Sequence, residues 1–209
     1  MSAIWNGILV GLALAILIGP ILFSLLQRSI EQGRTAGFWV ASGIWISDLL
    51  FILGVSLGVS YIQEAIQSPL FEPILAIFGG VVLIAIGVGM FISKPKTHLD
   101  ETAPLEVFSS RGHLWLEGFL INTINPFSVI FWTSLITTRA ADAAVFGGEN
   151  VLFLGAAFLT IVATDTIKIL LADRIRQRLQ QQHILVLRKI SGVTLFVFGL
   201  MMMVRGVFF

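Results

Sequence analysis

Three ionisable side chains lie inside long apolar segments of this sequence. Asp48 is near the middle of the run 36–61, and Asp165 and Lys168 lie within the run 151–172. A charged side chain at the centre of a bilayer costs about 2.5–3.5 kcal/mol on insertion scales, so such groups usually face a polar cavity or a partner. Burial penalises the charged carboxylate, which makes both aspartates candidates for proton carriers or for ligands of a substrate ammonium group. Asp165 is either free or paired with Lys168, which lies three residues further on the same helical face.

Two prolines interrupt apolar segments at matching places in the two halves of the chain. Gly19 and Pro20 lie in the first segment, and Asn125 and Pro126 lie in the fourth. Proline lacks an N–H and clashes with the carbonyl four residues earlier, so a helix breaks there. The exposed half-helix ends carry partial charges that can hold the carboxylate and ammonium groups of a zwitterion. The candidate substrate site therefore comprises Gly19, Pro20, Trp45, Asn122, Asn125 and Pro126.

Composition indicates that these residues belong to a membrane protein. Of the 209 residues, 56% are hydrophobic and only 12% are charged, against about 25% charged residues in soluble domains. The apolar residues form six runs of about 20, the length that crosses a hydrocarbon core of about 30 Å. The runs are 5–26, 37–61, 70–92, 117–138, 151–172 and 189–208. We expect an all-α integral membrane protein with six transmembrane helices, the first and fourth broken at Gly19-Pro20 and Asn125-Pro126.

Several other classes of protein are disfavoured. The chain has no cysteine, which removes disulfides, thiolate nucleophiles and sulfur-ligated metals. No basic region precedes the first apolar run and no cleavage site follows it, so we expect that span to remain in the mature protein. A net charge of +1 gives no argument for nucleic-acid binding. No catalytic set of nucleophile and base is visible, and we expect no enzyme activity and no cofactor. His98 and His113 are interpreted as parts of a solvated loop, so no metal site is expected.

Basic residues are distributed unevenly over the loops. The odd-numbered loops hold ten of them: Arg28, Arg34, Lys94, Lys96, Arg111, Arg174, Arg176, Arg178, Arg188 and Lys189. The termini and even-numbered loops hold Arg139 and Arg205. This asymmetry predicts that the odd-numbered loops are cytoplasmic and both termini are outside. We expect residues 173–188 to form a basic surface helix or loop at the headgroups. Interfacial anchoring is predicted for the tryptophans near span ends, namely Trp5, Trp39, Trp115 and Trp132.

The two halves of the chain resemble each other. Gly80 and Gly87 in the third run match Gly192 and Gly199 in the sixth at an offset of 112 residues. The helix breaks and the intramembrane aspartates recur in the same order. A unit of three spans is odd in number, so its second copy must cross the membrane in the opposite sense, as in many secondary transporters. We predict a single membrane domain made of a first repeat (1–92), a cytoplasmic linker (93–116) and a second repeat (117–209).

The motifs around these residues resemble a known family. The segment from Gly11 to Pro20, followed by Gly33-x-x-x-Gly37 and by Asp48, is similar to the N-terminal signature of the LysE/RhtB amino-acid exporters. The segment 118–126, GFLINTINP, resembles the fourth-span motif of that family. Members often read Ser-Pro-Gly-Pro at the first break, whereas this chain has one proline fewer. The resemblance covers essentially the whole chain and implies six spans.

The resemblance implies a secondary active exporter of amino acids or their derivatives in the bacterial inner membrane, driven by a proton or other ion gradient. Its helix breaks would bind substrate by alternating access, and Asp48, Asp165 and Lys168 would carry proton coupling. The expected partners are a small-molecule substrate, the ion gradient and membrane lipids, and the chain leaves open whether it forms a homodimer. Two alternatives remain at this point: a divalent-cation exporter of the wider LysE superfamily and a non-transporting membrane scaffold or assembly protein.

Overall fold

The computed structural model of the chain describes residues 2–16, 19–58, 68, 70–92, 110–142, 147–179 and 181–208. Within these residues the backbone forms eight helices and no strand. The helices are α1 (Ser2–Ile16), α2 (Pro20–Gln32), α3 (Arg34–Leu57), α4 (Phe71–Ile92), α5 (Arg111–Thr123), α6 (Pro126–Asp142), α7 (Gly148–Arg176) and α8 (Gln181–Phe208). The all-α expectation is confirmed for this part of the chain.

The helices provide between four and six candidate membrane spans. By length and composition, α3, α4, α7 and α8 can each cross a bilayer. The remaining helices form two bent pairs, α1 with α2 and α5 with α6, whose axes differ by 73° and 62°. Each second half-helix begins with a proline, because the fixed φ of proline suits the first helical position and its missing N–H costs nothing there. The breaks therefore fall where the two prolines predict them.

The distribution of polarity is that of a multi-pass membrane protein. Large apolar side chains are widely exposed, among them Ile16, Leu57 and Ile92 at 77%, 77% and 80%. The interior of the described structure holds fifteen buried polar or charged residues, including Asp48 and Asp165. An exposed apolar surface of this extent would aggregate in water, whereas lipid solvates it. Polar groups must then find their hydrogen-bond partners inside the protein.

Small residues allow the helices to pack closely in three main pairs. The most extensive contacts join α4 to α8, α1 to α7 and α3 to α5. Between α3 and α5, Gly118 lies directly on the backbone of Val40, and a Cβ atom there would overlap the carbonyl oxygen. The short half-helix α2 lies inside this frame and contacts α3, α7 and α8. Its chain turns into α3 through Gly33, whose φ of +88° is a conformation that favours glycine.

One expectation about the loops is wrong in part. Residues 173–188 do not form a separate surface element, since α7 continues to Arg176 and α8 begins at Gln181. Helix α5 begins at Arg111, inside the predicted linker, where Ser110 caps it by accepting a hydrogen bond from the backbone N–H of His113. The linker residues 93–109, including His98, lie outside the described part of the chain. Apolar runs mark the lipid-exposed length of a helix, whereas caps and tertiary contacts set its ends.

Replacing Gly118 with Ala should destabilise the protein, because the added methyl group forces α5 away from α3. Overpacking of this kind costs about 1–3 kcal/mol. The measurement is the thermal unfolding midpoint of the purified protein in detergent. Gly155→Ala is the matched control, since no atom lies within 4 Å of a Cβ at that position, and it should not lower the midpoint. Equal midpoints for the two variants would contradict close packing at Gly118.

Candidate functional site

A cavity of about 290 Å³ lies where the two broken helices meet. Side chains of α1, α2, α3, α5, α6, α7 and α8 line it. Its apolar lining residues are Leu14, Ala15, Ile21, Leu22, Leu25, Ile44, Phe127, Ile161, Phe198 and Met202. Its other lining residues are Gly19, Pro20, Asp48, Asn122, Asn125, Pro126, Ser128, Asp165 and Lys168. The structure thus brings together every candidate site residue except Trp45.

Asp48 is held by hydrogen bonds from two other helices. Asn122 Nδ2 and Trp132 Nε1 donate to Asp48 Oδ1 over 2.8 and 2.7 Å. The same Asn122 amide also donates to the carbonyl oxygen of Ile44, and its Oδ1 accepts from Ser128. Oδ2 of Asp48 receives no hydrogen bond within the described structure. The carboxylate is therefore fixed through one oxygen, and the other remains available at the cavity.

Asp165 has a different environment, because a cation faces it. Lys168 Nζ donates to Asp165 Oδ1 over 3.0 Å, and Trp45 Nε1 donates to Asp165 Oδ2 over 3.2 Å. The alternative left open by the sequence is thereby decided in favour of pairing. Trp45 does not line the cavity itself, and it contacts the site through Asp165. The cavity consequently contains one paired and one unpaired carboxylate among the described residues.

The two helix breaks differ in how their exposed backbone groups are satisfied. At the second break, Asn125 Oδ1 accepts a hydrogen bond from the N–H of Phe127 and so caps α6. At the first break, the residue before α2 is Gly19, which has no side chain to act as a cap. The first N–H groups of a helix lack intrahelical acceptors and carry partial positive charge. Gly19 thus provides no side-chain cap for the N-terminus of α2, whose first N–H groups lie next to the cavity.

A second group of buried charges lies beside the cavity and was not predicted from the sequence. Arg28 of α2 forms a bidentate ion pair with Glu117 of α5, with its shortest contact at 2.7 Å. Glu31 of α2 pairs with Arg188 of α8 at 2.9 Å. Arg188 Nε also donates to the carbonyl oxygen of Met90 at the end of α4. We call these four charged side chains, Arg28, Glu31, Glu117 and Arg188, the buried ion network.

The sequence carried a signal for this network. Ser24, Gln27, Arg28 and Glu31 recur at helical spacing and form a polar stripe along α2. Ser24 Oγ donates to Glu117 Oε1, and Gln27 Nε2 donates to Glu31 Oε1. The prediction that Arg28 and Arg188 are loop residues is wrong, because Arg28 lies in α2, Arg188 lies in α8 and both form ion pairs. The asymmetry of the remaining basic residues is unchanged.

Trp132 is also not where it was expected. Its side chain is fully buried and donates to Asp48, so the prediction of an interfacial anchor is wrong. Trp5, at 61% exposure near the start of α1, is compatible with anchoring. A tryptophan near a span end can be an interfacial anchor or a buried hydrogen-bond donor. The sequence does not distinguish these roles, because it does not reveal which side of the helix faces inward.

The apolar exterior, the broken helices and a central cavity that contains two aspartates and a lysine define a multi-pass membrane protein of the transport class. The sequence model of the LysE type translocator family matches residues 12–206, and the chain belongs to this family. The resemblance noted in the sequence is thus confirmed.

Two curated relatives are similar over most of the chain. One is "Putative amino acid efflux protein YcgF" of Bacillus subtilis (strain 168), which is 26% identical over 99% of this chain and 98% of its own length. The other is an uncharacterized membrane protein of Pseudomonas aeruginosa, 23% identical over 82% of this chain and 79% of its own. No solved structure matches the chain.

Trp132→Phe should destabilise the protein, because it keeps an aromatic ring and removes a hydrogen-bond donor to buried Asp48. Loss of a hydrogen bond to a charged group costs about 1.5–3 kcal/mol. Thermal unfolding in detergent measures the effect. Trp5→Phe is the matched control because Trp5 is largely exposed, and it should leave the unfolding midpoint unchanged. A midpoint unchanged by Trp132→Phe would exclude a stabilising role for its hydrogen bond.

Proposed function

We propose that this protein is a secondary active exporter of amino acids or their derivatives, coupled to inward proton movement. The observation that carries the proposal is the convergence of Asp48, Asp165 and both helix breaks on one cavity. Membership of the LysE type translocator family supports export. The printed name of the Bacillus subtilis relative supports amino acids as the substrate class.

Asp48 is assigned the coupling role in this proposal. Its Oδ2 is the carboxylate oxygen without a donor in the described structure, so a substrate ammonium group and a proton would compete for one atom. Binding of either then displaces the other, which links substrate release on one side to proton uptake. Asp165 is the weaker candidate because Lys168 and Trp45 occupy both of its oxygens. Lys168 is assigned to the substrate carboxylate, together with the uncapped N-terminus of α2.

Packing supports an inverted repeat and alternating access. A Cβ atom on Gly80 would lie 2.6 Å from the carbonyl oxygen of Gly199, and a Cβ atom on Gly87 would lie 2.8 Å from that of Gly192. Gly80 is the counterpart of Gly192 in the other repeat, and Gly87 is the counterpart of Gly199. Replacing each glycine by its counterpart therefore converts the first of these pairs into the second. The same exchange converts the α1–α7 pair into the α5–α3 pair. In alternating access, movement of α2 and of its counterpart α6 against the long helices would open the cavity to either side.

The location is proposed to be the bacterial inner membrane, with both termini outside the cytoplasm. The basic residues that support this orientation include Arg34, Arg111, Arg174 and Arg178, all near one end of the described helices. Assembly as a homodimer is left open by this proposal. Among the described residues no three His, Cys, Asp or Glu side chains lie together, which favours amino acids over divalent cations as the substrate.

The cavity lining favours a neutral amino acid with an apolar side chain. The two aspartates and Lys168 give the lining a net charge of −1. A zwitterion suits this lining, because its ammonium group can bind Asp48 and its carboxylate can bind Lys168. A basic side chain would need a further unpaired carboxylate, and the described lining offers none. The rest of the wall is mostly apolar, so it would desolvate an aliphatic side chain without leaving polar groups unpaired.

Asp48→Asn should abolish gradient-driven accumulation of labelled amino acids by inside-out vesicles, because an amide cannot exchange a proton near neutral pH. The substitution keeps the size of the side chain and an oxygen for Asn122 and Trp132. Glu149→Gln, which removes an exposed carboxylate at the start of α7, is the matched control and should transport normally. Full activity of Asp48→Asn would overturn the coupling assignment. If the native protein accumulates no amino acid, divalent metals are the next substrates to test.

Leucine and methionine should compete for transport at least about tenfold better than alanine, because each buried methylene contributes about 0.8 kcal/mol. Lysine and glutamate should compete weakly. The measurement is inhibition of labelled leucine uptake by each unlabelled amino acid in the same vesicles. Strong competition by lysine would contradict the proposed substrate class while leaving the exporter assignment intact.

A further inference from the structure

The buried ion network lies between the cavity and one end of the molecule. Leu25 lines the cavity, and the ion-paired Arg28 follows it by about one helical turn. On α5, Glu117 precedes the cavity residue Asn122 by five residues, or about 7.5 Å along a helix axis. The network is therefore the layer that separates the cavity from the α2–α3 turn. That end carries the basic residues that the orientation argument places in the cytoplasm.

Four helices meet in this layer. The bidentate pair between Arg28 and Glu117 joins α2 to α5, which are half-helices from the two broken spans. Glu31 and Arg188 join α2 to α8, and the hydrogen bond to Met90 extends the connection to α4. A displacement of α2 away from α5 would therefore have to break the Arg28–Glu117 pair, and a displacement away from α8 would have to break the Glu31–Arg188 pair.

The opposite side of the cavity is built differently. There the two other half-helices, α1 and α6, flank an apolar groove of about 680 Å³. Phe127 lines both this groove and the cavity, so a single residue borders both spaces. No ion pair between α1 and α6 occurs in the described structure. The two half-helices on one side are joined by charges, and those on the other side are not.

We propose that the buried ion network is the inner gate of the transport pathway, and that this structure is the state in which the gate is closed. The inference rests on the proposed function, because it requires a pathway that opens alternately to each side. When the gate opens, water enters from the cytoplasm and solvates the separated charges. Ion pairs suit such a contact because water can replace each partner, whereas buried apolar surfaces lose their stabilisation when water enters.

The absence of cysteine from the chain permits a direct test. A single cysteine introduced by Ala15→Cys lies on the cavity wall, and a charged, membrane-impermeant methanethiosulfonate reports its accessibility. In inside-out vesicles this cysteine should react slowly. Adding Glu117→Gln should raise the reaction rate by about tenfold or more. The open state of a two-state protein is typically populated at about 0.1–10%, and its population rises when the closed state loses an ion pair.

Two further variants separate a gate from a purely structural role. Arg28→Gln with Glu117→Gln leaves no uncompensated buried charge, so it should remain folded in detergent gel filtration and still react faster. Asp173→Asn removes the charge of the partly exposed Asp173–Arg176 pair at the same end of the molecule, keeps an oxygen for the backbone N–H of Arg34 and should leave the rate unchanged. Similar rates in the double variant and in the parent Ala15→Cys protein would overturn the proposal, as would a rise with Asp173→Asn or a rise only from the outer side.

The labelling assay does not depend on the substrate. If the network variants react faster but no amino acid is transported, the result supports the gate and contradicts the proposed substrate. If amino acids are transported and the network variants do not alter labelling, the result supports the exporter function and contradicts the gate.

Discussion

The hydrocarbon interior of a bilayer offers no hydrogen-bond partners, and this constraint accounts for most of the structure. Every interruption of a helix and every polar side chain at that depth must be satisfied by the protein itself. Asn125 satisfies the start of α6, and Asn122 and Trp132 satisfy one oxygen of Asp48. Within the described part of the chain, Asp48 Oδ2 and the start of α2 are incompletely satisfied, and Asp48 and Gly19 both line the cavity. A ligand that carries opposite charges can complete them.

Close packing of helices makes this arrangement possible. Glycines such as Gly80 and Gly118 bring backbones into direct contact, so the long helices form a rigid frame without large side chains between them. The half-helix α2 is joined to that frame differently, through the buried ion network as well as through apolar contacts. Charged contacts can exchange their partners for water, and apolar contacts cannot. The frame and the charged half-helix therefore suit different roles, one permanent and the other reversible.

Much of the fold could be predicted from the sequence because the responsible interactions are local. Length and hydropathy locate the spans, and proline geometry locates the breaks before Pro20 and Pro126. The cost of burying charge identifies Asp48 and Asp165 as residues facing the interior. One kind of error concerns helix ends, since Arg188 lies within α8 and not in a loop. The other concerns rotation of helices about their axes, since hydropathy does not give the direction in which Trp132 points, and it points inward.

The sequence by itself determined the class of protein, the placement of Asp48 and Asp165 within apolar helices and the positions of the helix breaks, since each depends on neighbouring residues. Tertiary structure alone decided which groups pair. Trp132 and Asp48 are 84 residues apart, Arg28 and Glu117 are 89 apart, and Glu31 and Arg188 are 157 apart. No local pattern encodes such partners. They are selected when the packed helices bring their polar stripes together, because an unpaired charge in the interior would be too costly to retain.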